Sequence, residues 1–244
     1  MIRGTLAALA VAVALPCAAH AQNFEVIAIG NGDENGSNFY MLSLRSNLGF
    51  GQTATVEGTA RNAQTGLRLR FDLARTTYDT NYNNVAGTGT GKTYRLLLAY
   101  GLPLDADTTL TFTGGVSHRT VEVRPFTLNS PDDTDETGPF ASIDLEYSPE
   151  NFGTLQLLAE HDSVGSNYGS VSFLADIGPN VRIGPTANYV ADGDYSRTAV
   201  GLSAIYGIGD QFEIKATAAN ATQKITGNPD KDVDYLEVQL RSVF

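Results

Sequence analysis

Apolar and polar residues alternate along most of this chain, in segments of about ten residues separated by turn-forming sequences. Successive side chains of an extended strand point to opposite faces, so this alternation predicts strands with one apolar and one polar face. Helical periodicity is almost absent after residue 22. The pattern predicts twelve strands, at 24–30, 38–49, 66–79, 91–102, 108–123, 139–148, 153–162, 167–177, 181–190, 195–206, 210–222 and 233–244.

The polar face of most predicted strands carries ionised side chains. Leu67, Leu69 and Phe71, for example, alternate with Arg68 and Arg70. The same separation recurs in 94–102, 141–147 and 198–206. Charges on one face of so many strands are costly in a dry soluble core, whereas a watery or salt-bridged lumen accommodates them. We therefore predict an all-β fold, an antiparallel up-and-down transmembrane β-barrel of about 12 strands, with 10 or 14 as alternatives.

The lengths of the connections agree with this topology. An even strand count places both ends of a bacterial barrel in the periplasm, so the odd-numbered connections face outward. Those include the two longest polar links, 80–90 and 124–138. Tight-turn compositions occur in even-numbered connections, at 148–151, 178–180 and 207–210. The second connection, 50–65, is long for a periplasmic turn, so either strand two extends through it or the count is off by two.

Both ends of the chain carry recognisable targeting patterns. Arg3, an apolar run at 6–15 and a small-x-small motif at 19–21 predict a signal peptide at 1–21, followed by a barrel domain at 22–244. The final segment YLEVQLRSVF alternates and ends on an aromatic residue. It resembles the C-terminal signal of outer-membrane barrels, carried here by Leu236, Val238, Leu240 and Phe244. The resemblance implies the assembly machinery as a partner and the Gram-negative outer membrane as the location.

Composition narrows the partners. The chain has 27 acidic and 16 basic residues and a net charge of -11, which argues against nucleic acid as a partner. Its one cysteine, Cys17, lies in the predicted signal peptide, so the processed chain has no cysteine for a disulfide. Outer-membrane lipid and lipopolysaccharide are the expected surroundings of the barrel, and no cofactor is predicted.

Two motifs suggest ligand binding but fit it poorly. The segment 86–93 ends in Gly-Lys-Thr like a phosphate-binding loop, but Ala86 stands where the first glycine is required, and a strand follows instead of a helix. Carboxylates cluster in the long predicted outer connection, at Asp132, Asp133, Asp135 and Glu136, and near the last outer connection, at Asp230, Asp232 and Asp234. Neither cluster has the spacing of a twelve-residue calcium loop, so we interpret both as solvated loops and predict no metal site.

His161 and Ser163 are the candidates for catalysis. A His-x-Ser pair on the outward face near the outer end resembles the arrangement in outer-membrane phospholipases and lipid A deacylases, where His activates Ser. Val164 follows Ser163 here, whereas those families have asparagine. Asn167 is the only candidate to orient the histidine, and we expect it in the turn, so the base is poorly poised. We predict no catalytic residue and keep a lipid hydrolase as an alternative.

The inward charges separate into two walls. Strands two to four carry mainly basic residues and strands six to eight acidic ones: Arg45, Arg68, Arg70, Arg95, Asp144, Glu146, Glu160 and Asp176. Two interpretations follow with equal weight. The walls either pair across the lumen and close it, or set a transverse field across a water-filled constriction, as in porin-like channels. A barrel of about twelve strands is only modestly wider than the eight-stranded barrels that side chains fill.

Residues 138–216 resemble the cellulose biosynthesis protein BcsS family. The likeness is carried by SNYGSVSFLADIGPNVRIGPTANYVADGDYSRTAVGLSAIYGIG, with its IGPN turn, its IGPTANYV strand and the R-x-A-V-G strand at Arg197, Ala199, Val200 and Gly201. Tyr168 stands where that family often has an aromatic residue. In the first half only the layout is similar, with an NGD turn at 31–33. The resemblance implies an exported outer-membrane barrel associated with cellulose production, and it supplies no catalytic residues.

The expected function is therefore an outer-membrane β-barrel role in cellulose or exopolysaccharide biosynthesis or export, structural or channel-like and not enzymatic. Cellulose export components or the polysaccharide itself are the implied partners. Few aromatic residues face inward by parity, which disfavours a wide conduit for a glucan chain. A small-solute porin-like channel is the main alternative, and a surface protein whose acidic outer loops bind a partner is another.

Overall fold

The computed structural model describes residues 24–33, 36–48, 65–82, 85–125, 134–150, 152–193, 195–209, 211–225 and 229–244. The predicted signal peptide and nearly all of the connection 50–65 lie outside these residues. The described residues form twelve strands: β1 (Phe24–Asp33), β2 (Asn38–Asn47), β3 (Gly66–Tyr82), β4 (Val85–Pro103), β5 (Thr108–Pro125), β6 (Thr134–Tyr147), β7 (Thr154–Asp162), β8 (Asn167–Gly178), β9 (Val181–Asp192), β10 (Tyr195–Ile208), β11 (Phe212–Ile225) and β12 (Lys231–Val243).

Each strand pairs with its neighbour in sequence, and β1 pairs antiparallel with β12, so the sheet closes into a barrel. Next to this seam, the backbone amide of Phe244 donates to the carbonyl of Phe24 at 2.8 Å, and the reverse bond is 3.2 Å. The predicted fold class and strand count are confirmed. No helix in the described part of the chain is long and apolar enough to cross a membrane.

The outer ends of β3, β4 and β5 are longer than the sequence predicts. The segment 80–90, interpreted as a polar link, belongs to the paired β3–β4 hairpin except for residues 83–84, which lie outside the described part. Likewise β5 continues to Pro125 and β6 begins at Thr134. The many glycine and asparagine residues of this segment are typical of loops. The antiparallel pairing of β3 with β4 nevertheless continues from Asp72↔Arg95 to Tyr82↔Val85. The ring of Tyr78 lies over Gly89, where it covers backbone that has no side chain of its own.

The apolar rows face outward and stay exposed. On β4, Leu96 is 59% and Leu98 51% exposed, whereas Leu97 between them is 1% exposed. The row from Tyr94 to Leu102 covers about 27 Å of strand at roughly 3.4 Å per residue. At the usual tilt of about 40° this is an apolar belt about 20 Å high, close to the height of the lipid-facing band of such barrels. These positions confirm the predicted faces of β4.

Three inward glycines mark places where neighbouring strands approach closely. A Cβ at Gly115, Gly184 or Gly201 would lie 2.2, 1.9 or 2.1 Å from a carbonyl oxygen of the adjacent strand. Such contacts with backbone cannot be relieved by a rotamer change, so only glycine fits. Glycine kinks of this kind let a sheet curve and close into a barrel.

Candidate functional site

The candidate site is the lumen, and ion pairs cross it between strands that are not neighbours. Arg70 Nη1 on β3 lies 3.9 Å from Glu160 Oε1 on β7. Arg70 also binds Asp72 on its own strand, with Nη2 2.7 Å from Oδ2. The first contact joins the basic wall to the acidic wall at the middle of the barrel.

Asp162 is the most enclosed of the carboxylates that face the basic wall. Its side chain is 0% exposed, and its Oδ2 accepts from Nε and Nη2 of Arg95, both at 2.9 Å. The same oxygen accepts from Ser117 Oγ at 2.8 Å, and Oδ1 accepts from the backbone amide of Val164 at 3.2 Å. The guanidinium of Arg95 also lies over the ring of Phe140, 4.8 Å from its centroid. One buried carboxylate thus joins β4, β5 and β7 through the lumen.

A third pair lies at the outer end. Arg119 on β5 donates from Nη1 and Nη2 to the two carboxylate oxygens of Asp192 on β9, at 2.8 and 2.6 Å. Nη1 also donates to the carbonyl of Val164 at 3.2 Å. Two parallel bonds of this kind fix orientation as well as distance. We refer to Arg70–Glu160, Arg95–Asp162 and Arg119–Asp192 together as the cross-lumen ion pairs.

The end of the barrel where β1 begins and β12 ends has its own charge pairs, between strands close in the sheet. Glu25 is 1% exposed and is held between Arg241, which it contacts through Arg241 Nε, and Arg45, whose Nη1 lies 3.5 Å away. On the other side, Arg182 Nη2 donates to Glu213 Oε2 at 2.5 Å. These contacts satisfy charge on the inner wall and do not cross the lumen.

Several inward side chains are fully enclosed by their neighbours. Asp72, Ser43, Ser117 and Ser203 are 0% exposed. The aromatic side chains of Phe140 and Tyr235 face inward, as the alternation of their strands predicts, and each is 3% exposed. The ring of Tyr235 packs in a cluster of small apolar side chains, Ala199, Ala221 and Val233. Arg197 lies over the same ring, 4.2 Å from its centroid.

The eight charged residues predicted for the lumen all lie on inward rows, with different surroundings. Arg45, Arg70, Arg95 and Glu160 make the ion pairs given above. Arg68 donates to Thr111 at 3.5 Å, and Asp144 accepts from the amide of Gln156 at 3.3 and 3.4 Å. Glu146 lies opposite Gln156, and Asp176 lies exposed opposite Arg182, at the end of the barrel where β1 begins.

Sequence reasoning missed several partners, namely Glu25, Ser117, Arg119, Asp162, Asp192, Glu213 and Arg241. Asp162 and Asp192 are the last residues of β7 and β9. At strand ends the alternation of side chains is the least reliable guide to which face a residue occupies. Their inward parity with Glu160 and Asn188 was the available signal.

No hydrogen bond joins His161 to Ser163 in the described part of the chain. His161 Nδ1 lies 2.6 Å from Asn167 Oδ1, and Asn167 is the first residue of β8, so the expectation that Asn167 sits in the turn is wrong. Ser163 Oγ instead lies within 2.2 Å of the place a Cβ of Gly138 would take. Gly138 shares its face with the buried Phe140, so the hydroxyl turns toward the lumen side while His161 faces outward. This geometry does not activate Ser163.

The residues of the glycine-rich motif and of the described carboxylate clusters make the usual contacts of paired strands. The glycine-rich segment 87–93 is the outer half of β4 and pairs with both neighbours. Asn220 donates to Asp234 at 3.0 Å and Thr222 to Asp232 at 2.8 Å on the outward face. Asp132 and Asp133 lie outside the described residues. Within the described ranges, no group of three His, Cys, Asp or Glu side chains has the arrangement of a metal site.

No protein-family model and no curated protein matches the chain. Among solved structures, the transport unit of the autotransporter AIDA-I from Escherichia coli is similar over 97% of each chain, at 13% identity and a TM-score of 0.55. The translocator domain of NalP from Neisseria meningitidis (13% identity, 99% of this chain and 98% of that one, TM-score 0.47) and the KdgM porin (8%, 90% and 99%, 0.46) are also similar. The likeness to AIDA-I shows the fold alone. With its exposed apolar belt, this fold is that of an outer-membrane β-barrel.

Proposed function

We propose that the protein is a closed barrel of the outer membrane that serves exopolysaccharide production, namely of cellulose, in a structural and non-conducting role. The observation that supports a closed lumen is the set of contacts at Asp162. This fully buried carboxylate accepts hydrogen bonds from Arg95 and Ser117 on two other strands. Charges that neutralise one another across a barrel leave neither a wide path nor a transverse field.

The link to cellulose rests on the resemblance of residues 138–216 to the BcsS family. The side chains of the lumen favour a companion or anchoring role and disfavour a conduit for the polysaccharide. A glucan channel presents the faces of aromatic rings to the sugar chain that passes through it. Here Phe140 and Tyr235 are each 3% exposed, and each ring is already covered by a guanidinium, from Arg95 and Arg197.

Deletion of the gene tests the cellulose part of this proposal. We expect less surface cellulose, measured by dye binding and cellulase digestion, and recovery with the wild-type gene supplied in trans. Unchanged cellulose in the deletion strain would remove the pathway assignment without touching the closed barrel.

Conductance in planar bilayers tests the closed barrel. We expect no stable conductance steps for the purified wild-type protein, and openings for an Arg95→Gln/Asp162→Asn double variant that keeps its β-sheet content. Steady wild-type conductance would contradict the proposal.

A small-solute channel is the second candidate, favoured by one observation. Arg45 and Arg241, at the periplasmic end of the lumen, are 26% and 20% exposed, so water reaches the inner wall from that side. If this candidate is correct, wild-type conductance is anion-selective and falls in an Arg45→Gln variant.

A further inference from the structure

Two basic side chains stand side by side on the outward face, immediately above the apolar belt. Arg75 on β3 and Lys92 on β4 are direct cross-strand partners. The next outward residues toward the membrane are Leu73 and Tyr94, which are also partners and end the apolar rows of their strands. The pair therefore lies where headgroups of the outer leaflet begin.

The protein balances this local charge only in part. Like charges directly opposite one another on a sheet are destabilising. Lys92 Nζ lies 3.8 Å from Glu122, an exposed contact at 45% for both side chains, and Arg124 lies 3.6 Å from the same carboxylate. Within the described ranges, no ion pair is found for Arg75. The patch is thus cationic on a chain whose net charge is -11.

Apolar surface adjoins the two cations on their membrane side. Phe71 is 37%, Leu96 59% and Val116 53% exposed, and the three are neighbours across β3, β4 and β5. A ligand that fits this surface carries an anionic group at one end and acyl chains at the other. Phosphate is the anion that Arg and Lys bind together most readily, through charge-assisted hydrogen bonds.

We propose that Arg75 and Lys92 bind a phosphate of lipid A, the phosphorylated glycolipid of the outer leaflet, with its acyl chains over Phe71, Leu96 and Val116. The site is on the lipid-facing surface and is independent of the state of the lumen. Phosphate binding neutralises the adjacent cations, which the protein itself leaves only partly compensated.

Native mass spectrometry of the detergent-solubilised protein tests this site, with hexa-acylated lipid A and its enzymatically dephosphorylated form as probes. We expect wild type to retain lipid A, and an Arg75→Gln/Lys92→Gln variant to bind it at least about tenfold more weakly. Lys224→Gln is the matched control, because Lys224 is another exposed cation near the outer end, paired with Asp230 at 3.1 Å. Its binding stays at the wild-type level.

Removal of the phosphates from lipid A should weaken its binding to wild type as much as the double substitution does. The proposal therefore requires that wild type retain dephosphorylated lipid A no better than the double variant retains intact lipid A. Equal retention of intact lipid A by wild type and the double variant overturns it, as does an equal loss in the Lys224→Gln control. Far-UV circular dichroism of each variant confirms that the barrel is folded, which is expected because both substitutions are on the surface.

Discussion

Replacement of Asp162 by asparagine isolates the contribution of one cross-lumen ion pair. The variant keeps the shape of the side chain and an acceptor for Ser117 Oγ, which lies 2.8 Å from the carboxylate. It removes the charge that Arg95 contacts twice at 2.9 Å, in a side chain that is 0% exposed. Removal of one partner of a buried pair costs about 3–5 kcal/mol, because the other charge stays buried without its counter-ion. Arg95 retains Asp72 at 4.0 Å, so we expect the lower part of that range.

The measurement is reversible urea unfolding in lipid vesicles, followed by circular dichroism because the chain contains no tryptophan. Lys224→Gln serves as the control, since its pair with Asp230 is 62% and 55% exposed and such pairs contribute less than about 1 kcal/mol. Combining Asp162→Asn with Arg95→Gln should recover part of the loss, since neither charge is then left alone. A loss below about 1 kcal/mol for Asp162→Asn would refute the account of a buried, energetically coupled pair.

Three further predictions concern the barrel wall. Gly184→Ala should destabilise the barrel by about 1–3 kcal/mol, because its Cβ would lie 1.9 Å from a carbonyl oxygen, whereas Gly178→Ala, with nothing within 4 Å, should change urea unfolding by less than about 0.5 kcal/mol. Leu98→Arg, at the middle of the apolar belt, should cost about 2–4 kcal/mol and Leu102→Arg, at its edge, about 0–1; equal costs in the same assay would contradict the placement of the belt. Deletion of Phe244 removes its two backbone bonds with Phe24 and should lower the amount of heat-modifiable barrel in outer-membrane fractions, and an unchanged amount would show that the terminal residue is dispensable for assembly.

The strand count and the faces could be predicted because they depend on local alternation. A row such as Leu96, Leu98 and Tyr100 specifies its own face wherever the strand is placed in the sheet. The outer extensions of β3 to β5 could not be predicted, because Gly-Thr and Asn-rich segments resemble loops by composition. Their strand state comes from pairing with a neighbour, as Tyr78 covering Gly89 illustrates.

The partners in the ion pairs could not be predicted from the sequence for a different reason. Inward parity predicts that Arg95 and Glu160 share the lumen, but register and strand tilt decide which side chains meet across it. Arg95 reaches Asp162 and not Glu160, and Arg119 reaches Asp192 four strands away. The same limit applies to Ser163, since the turn after β7 rotates its hydroxyl away from the face of His161.

Thiol labelling in vesicles tests the closed lumen most directly, because Cys17 is the only cysteine of the chain and lies within the predicted signal peptide. Ser203 points inward and is 0% exposed, whereas Ser163 is exposed in the turn after β7. We predict that a membrane-impermeant thiosulfonate modifies a Ser163→Cys variant and leaves Ser203→Cys unmodified from either side until urea is added. Modification of Ser203→Cys at the rate of Ser163→Cys in the folded barrel would contradict a lumen filled by paired side chains.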